Sequence, residues 1–157
     1  MNLIITSPAL TNGYPIPAIF SAEGENISPP LEWNRGPKNT RSYAIIMEDP
    51  DAPNNPPFVH WLVYNLPPEI NSLPGEVPPH PELEHPRGAR QGINSRGESG
   101  YFGPRPPVGD PAHHYHFQVF ALDTRLDLPA GADRTQLLTA MSGHILSVGD
   151  LMGSYER

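Results

Sequence analysis

Gly100-Tyr-Phe-Gly-Pro-Arg-Pro-Pro-Val-Gly-Asp-Pro-Ala-His-His-Tyr-His-Phe-Gln-Val-Phe-Ala-Leu-Asp123 decides the fold, because a Gly/Pro-rich loop runs directly into an alternating strand headed by histidines. Gly and Pro impose a non-helical backbone from Gly100 to Pro111. The aromatic and β-branched residues that follow suit a pleated surface. Period-two alternation places His113, Tyr115, Phe117, Val119 and Ala121 on one side of this strand and His114, His116, Gln118, Phe120 and Leu122 on the other. A site built at a sheet end is the expectation.

Upstream, Arg41 to Asp49 and Phe58 to Leu66 read as two further strands, joined through Asp49-Pro-Asp-Ala-Pro53 and a short Asn/Pro loop. Their near-continuous apolar centres predict burial on both faces or in a sandwich core. Alternation in the second puts Phe58, His60, Leu62 and Tyr64 on one face and Val59, Trp61 and Val63 on the other. Leu3 to Thr6 reads as a first short strand, Tyr14 to Phe20 as extended edge structure, and Gly24 to Trp33 as an extended segment ending in a strand. From Leu73 to Arg96 no hydrophobic period is usable, so this stretch reads as a long loop in which His80 and His85 are solvated. Downstream, Asp133 to Met141 forms the one good helix, capped by Asp133 and ended by Gly143, and Ile145 to Tyr155 returns as a strand or arm.

The whole-chain numbers agree with one compact, loop-rich domain spanning 1–157: 157 residues suffice for a core, and 22 prolines oppose long helices. A net charge of −7 with ten scattered basic residues excludes a nucleic-acid surface, which needs clustered Lys and Arg. Cysteine is absent, which removes disulfides, thiolate nucleophiles and Cys-ligated zinc together. No signal peptide and no membrane-spanning run is read in the sequence, so a cytoplasmic location without membrane insertion is expected.

Asp49 and Asp51 lie two apart at a strand end, His60 follows, and His113-x-Tyr115 heads another strand; these converge if both strands end on the same side. Each has an ordinary alternative: Asp in a Pro-rich turn caps its own backbone, and a lone strand histidine is usually buried and neutral. No third ligand beside His114 and His116 is evident for a metal, and no Gly-x-Ser-x-Gly elbow exists for a hydrolase. Arg87, Arg90, Arg96 and Arg105, with the amides near Gly100, Gly103 and Gly109, are candidate anion donors, against the plainer reading of surface arginines.

On these residues the chain resembles the phosphatidylethanolamine-binding protein family, in its compact bacterial and archaeal, Raf-kinase-inhibitor-like branch. Asp49-Pro-Asp-Ala-Pro53 with His60-Trp61 is similar to one signature, and Gly100-Tyr-Phe-Gly-Pro-x-Pro-Pro-x-Gly109 with His113-x-Tyr115 to the other. The resemblance implies a mainly β fold: an antiparallel β-sandwich with Greek-key connections and one or two short helices. It also implies a small cavity for anions such as phosphate or phosphoethanolamine, and a homodimer. Asp49, Asp51, Pro53, His60, Gly103, His113 and Tyr115 match its cavity positions, and Tyr101 a position near the mouth. Arg105 stands where the mammalian branch has a glycine-like position. The leading expectation is a regulatory binding protein for a small anionic or zwitterionic phospho-ligand, without catalytic residues, metal or cofactor. The second is an inhibitor of a kinase or serine protease acting through surface loops; a hydrolase or metalloenzyme comes third. A cis peptide at Ala52–Pro53 is a further expectation from the Pro-dense turn.

Overall fold

Residues 2–52 and 57–157 are described by the computed structural model. Among them, the elements run β1 (Ile5–Thr6), β2 (Leu31–Trp33), β3 (Ser42–Asp49), β4 (Phe58–Leu66), β5 (Ser72–Leu73), β6 (Arg90–Gln91), β7 (His113–Leu122), α1 (Arg134–Met141) and β8 (Ile145–Tyr155). They form two antiparallel sheets, one ordered β1-β2-β5 and the other β6-β4-β3-β7-β8. Between β4 and β7 the chain visits the small sheet at β5, returns along β6, and crosses to the far side of β3. This crossover is what the sandwich expectation requires.

The core lies on both faces of the large sheet. Tyr43, Ile45, Met47, Trp61, Val63, Phe117 and Val119 meet Ile5, Leu31, Trp33 and Leu73 of the small sheet. On the outer face Ala44, Ile46, Leu62, Tyr64, Phe120 and Leu122 pack under Leu137 and Met141 of α1. Cover on both sides explains why β3 and β4 read as apolar runs rather than clean alternations. Leu137 and Met141 are fully buried, each worth about 1.5–3 kcal/mol relative to exposure. The helix that presents them starts at the expected cap, where Asp133 accepts from the amide of Gln136 and the Gln136 side chain accepts from the amide of Asp133.

Local structure differs from the sequence expectations in four places. The first strand is confined to Ile5–Thr6. Pro15 bridges Ser154, as extended edge structure should, but Ala18–Phe20 tightens into a 3-10 turn closed by the Ser21 hydroxyl donating to the Ala18 carbonyl. The 73–96 stretch contains β6 and sends Leu83 and Ala89 into the core. Gln91, fully buried there, accepts from Trp61 Nε1 and donates to the carbonyls of Pro78 and His80, each at 2.8 Å.

The fourth difference bears on the site. Along β4 the register passes from Met47↔Trp61 to Glu48↔Val59, which leaves His60 as an extra residue in a bulge. Strict alternation groups His60 with Leu62 and Tyr64. The bulge instead turns it toward Tyr115 on the inner face, while Val59 joins Leu62 and Tyr64 on the outer one.

Candidate functional site

The antiparallel arrangement brings the end of β3, the start of β4 and the start of β7 to one edge of the sandwich. Asp49, His60, His113 and Tyr115 meet there, and Phe58, Phe102, Ala52, Arg105, Pro106 and Pro107 complete the wall of a cavity of about 140 Å³. Phe102 stacks on His60 with ring centroids 5.9 Å apart, and the edge of Tyr115 meets His60 at 5.1 Å.

The polar groups form one chain of contacts. Asp49, 3% exposed, receives His113 Nδ1 at 2.6 Å on Oδ2 and the Asp51 amide at 2.8 Å on Oδ1. The other ring nitrogen, His113 Nε2, lies 3.1 Å from Asp110 Oδ2. Burial pulls the His113 pKa down, but hydrogen bonds to both carboxylates and their charges outweigh it and raise the pKa. Both ring nitrogens of His113 face carboxylate oxygens, an arrangement that favours the protonated ring. His60 is its opposite: burial pushes its pKa down to about 4, so at neutral pH the ring is neutral. Its Nδ1 faces the Phe102 carbonyl at 2.5 Å and must carry the proton, which leaves Nε2 as an acceptor. Burial and the charges of Asp49 and Asp51 raise the Tyr115 pKa, keeping a phenolic donor in the wall.

Residues 6–156 match the phosphatidylethanolamine-binding protein family. The chain belongs to that family. It is 44% identical over 157 residues to a UPF0098 protein of Pyrococcus horikoshii, covering 100% of this chain and 78% of the relative. A phosphatidylethanolamine-binding protein homologue from Chlamydia trachomatis superposes with a TM-score of 0.88 at 39% identity, covering 99% of this chain and 98% of that one. YbcL of E. coli, described as a new member of the mammalian family, gives 0.93 at 30% identity, covering 100% and 99%. The resemblance read from the two signature blocks is thereby confirmed. No helix among the described residues is long and apolar enough to cross a membrane. A relative from Mycobacterium tuberculosis, 36% identical over 98% of this chain and 72% of its own length, is named as a lipoprotein.

Of the residues expected at the cavity, Asp49, His60, His113 and Tyr115 come together in the cleft. Asp51 contributes its amide, but its carboxylate turns to the outer face and accepts from the His114 amide at 2.8 Å and Nδ1 at 2.7 Å. Tyr101 lies behind the wall, its hydroxyl donating to the Phe20 carbonyl at 2.7 Å and its ring set edge-on to Trp61. Gly103 supports the rim: a Cβ there would come within 2.1 Å of the Phe20 carbonyl oxygen. Pro53 and the Ala52–Pro53 bond lie outside the described residues.

The amides of Gly100, Gly103 and Gly109, expected as anion donors, instead donate to Gly92 O, Asn26 Oδ1 and Arg157 O. Their loop docks on three other segments of the chain, which occupies them. Of the four arginines only Arg105 lines the cleft; Arg96 sits 4.8 Å over the Phe102 ring, and Arg90 donates to the Leu128 carbonyl. His116 pairs with Asp150 on the outer face. Sequence reasoning does not single out Phe58, Phe102, Pro106, Pro107 or Asp110. For Asp110 the available signal is its place three residues before His113, in a turn that orients its carboxylate.

Proposed function

We propose that the cleft binds a small phospho-ligand with a zwitterionic, phosphoethanolamine-like head group, and that the protein is a regulatory binding module without catalysis of its own. The observation that carries this reading is the presence of both charge signs in one small cavity: Asp49 and His113 pair within it, with Arg105 in the same wall. The phosphate is served by Arg105 and the Tyr115 hydroxyl. The ammonium is served by the acceptor nitrogen of His60 and the ring face of Phe58. In this reading the protein works in the cytoplasm as a homodimer.

Calorimetry of phosphoethanolamine and inorganic phosphate, on wild type and on His60→Ala, tests it. The zwitterion binds the wild type more tightly, and His60→Ala weakens that binding. Equal affinities for the two ligands overturn the head-group assignment, and a variant that binds both as wild type does overturns the site.

A second reading, inhibition of a kinase or serine protease through the 74–96 loop, draws on Gln91 pinning that loop to Trp61. A preorganised loop loses little entropy on docking. Inhibition abolished by replacing the loop, with the cleft intact, supports it.

A further inference from the structure

We propose that Asp110 is the specificity-determining residue of the cleft: its carboxylate occupies, at His113 Nε2, the place that an incoming anionic oxygen takes. The inference rests on the reading of the cleft as an anion site.

The two carboxylates on His113 are not equivalent. Asp49 is fixed in the interior, with side chains on that contact only 6% and 4% exposed, whereas the Asp110 side chain is 41% exposed. Asp110 follows Gly109, which sits at φ +93 in open space, with nothing within 4 Å of a Cβ built there. Glycine gives the backbone freedom at that joint. The segment just before it is held, because Arg157 Nε donates to the Pro106 carbonyl at 2.6 Å and the Gly109 amide to the Arg157 carbonyl at 3.3 Å. The Asp110 amide itself donates to the Pro107 carbonyl at 3.2 Å, so the backbone of the rim is held and movement is confined to the exposed Asp110 side chain.

Beside Arg105 and the Tyr115 hydroxyl, this contact offers the cleft a further donor. His60 commits its N–H to the Phe102 carbonyl, and the amides of Gly103 and Gly109 are satisfied inside the protein. His113 Nε2–H is the buried cationic donor that becomes available when a side chain at the mouth swings away. A phosphate dianion, with more charge and three acceptor oxygens, displaces the carboxylate. A carboxylate ligand exchanges like for like against a competitor tethered at an effective concentration of about millimolar or higher. The cleft accordingly admits phospho-ligands and rejects simple carboxylates.

Calorimetry with inorganic phosphate and with acetate on wild type, Asp110→Asn and Asp110→Ala tests the assignment. Both variants should bind phosphate about tenfold more tightly, and acetate should become measurable, because the tethered competitor is gone. Asp150→Asn serves as a charge-matched control, since it removes one negative charge of similar exposure from the outer face, where Asp150 pairs with His116; its gain should stay below about twofold because exposed charges are screened. Unchanged or weaker phosphate binding in both Asp110 variants, or an equal gain in Asp150→Asn, overturns the role of Asp110. If phosphate binds none of the four proteins, the anion-site reading itself fails and this role falls with it. Phosphate binding by the wild type that neither Asp110 variant improves overturns the role of Asp110 alone and leaves the anion-site reading standing.

Discussion

His60 donates its Nδ1 hydrogen to the Phe102 carbonyl, 2.5 Å away, from the bulge in β4 that turns it into the cleft. Because burial holds its pKa at about 4 rather than the ordinary 6.5, this histidine destabilises the fold in acid. Between those values the unfolded chain binds a proton that the folded chain refuses, so stability falls as pH drops from 6.5 through about 4. The loss is roughly 3 kcal/mol at the acid end. His113 acts in the reverse sense: its raised folded-state pKa gives a stabilisation complete below 6.5 and lost as pH rises through the raised value. NMR titration of the two rings checks both, and a His60 ring titrating at or above 6.5 contradicts the assignment.

Gln91 gives a second prediction. Its three contacts, to Trp61 Nε1 and to the carbonyls of Pro78 and His80, satisfy polar groups across a segment that has few of its own backbone pairings. Gln91→Leu keeps the apolar volume and abandons all three, for a cost of about 2–4 kcal/mol. Urea denaturation measures the loss. Limited proteolysis should show faster cutting between residues 74 and 88, and a variant as stable and as resistant as wild type rules out the tether.

What is legible in the sequence and what is not follow from the same physics. β3, β4 and β7 announce themselves because apolar continuity or alternation over eight or more residues is rarely produced by anything but a buried or half-buried strand, whereas β8, whose buried face is Ser147, Gly149, Leu151 and Gly153, reads equally as a strand or an arm. The cap at Asp133 is equally local. Alternation puts His60 on the wrong face because a bulge is a two-strand property: it exists only relative to Met47 and Glu48 across the ladder. Gln91 reads as one more polar loop residue, since its value comes from a tryptophan 30 positions away. The glycine amides of the rim mislead for a similar reason. Glycine spacing shows where a backbone can turn, and the partners Gly92, Asn26 and Arg157 appear only in three dimensions.

Two rim glycines should respond differently to alanine. At Gly103 a Cβ would lie 2.1 Å from the Phe20 carbonyl oxygen and 3.0 Å from Asn26 Oδ1, so backbone has to move. Gly103→Ala should cost about 2–3 kcal/mol by overpacking and weaken ligand binding through displacement of Phe102. Gly109→Ala meets no neighbour and suffers only its φ of +93, a cost of about 1 kcal/mol. Thermal melts of the two variants give the order, and equal destabilisation contradicts it.

Asn65 offers a test of the other bulge in β4, where the register passes from Tyr43↔Leu66 to Ile45↔Val63. It sits at φ +59, fully buried, and its side-chain amide pairs with Leu126 in both directions: Oδ1 accepts from the Leu126 amide at 2.8 Å and Nδ2 donates to the carbonyl at 3.0 Å. Asparagine suits the position twice, because it tolerates the left-handed region and supplies the matching donor and acceptor. Asn65→Ala strands both buried backbone groups and adds the conformational penalty, for a total of about 3–5 kcal/mol. Asn65→Gly removes the conformational part and should recover about 1 kcal/mol of it. Because Asn65 lies at the opposite end of β4 from His60, ligand affinity measured well below the unfolding transition should be unchanged in Asn65→Gly. A glycine variant less stable than the alanine one shows that the left-handed backbone is not what selects asparagine.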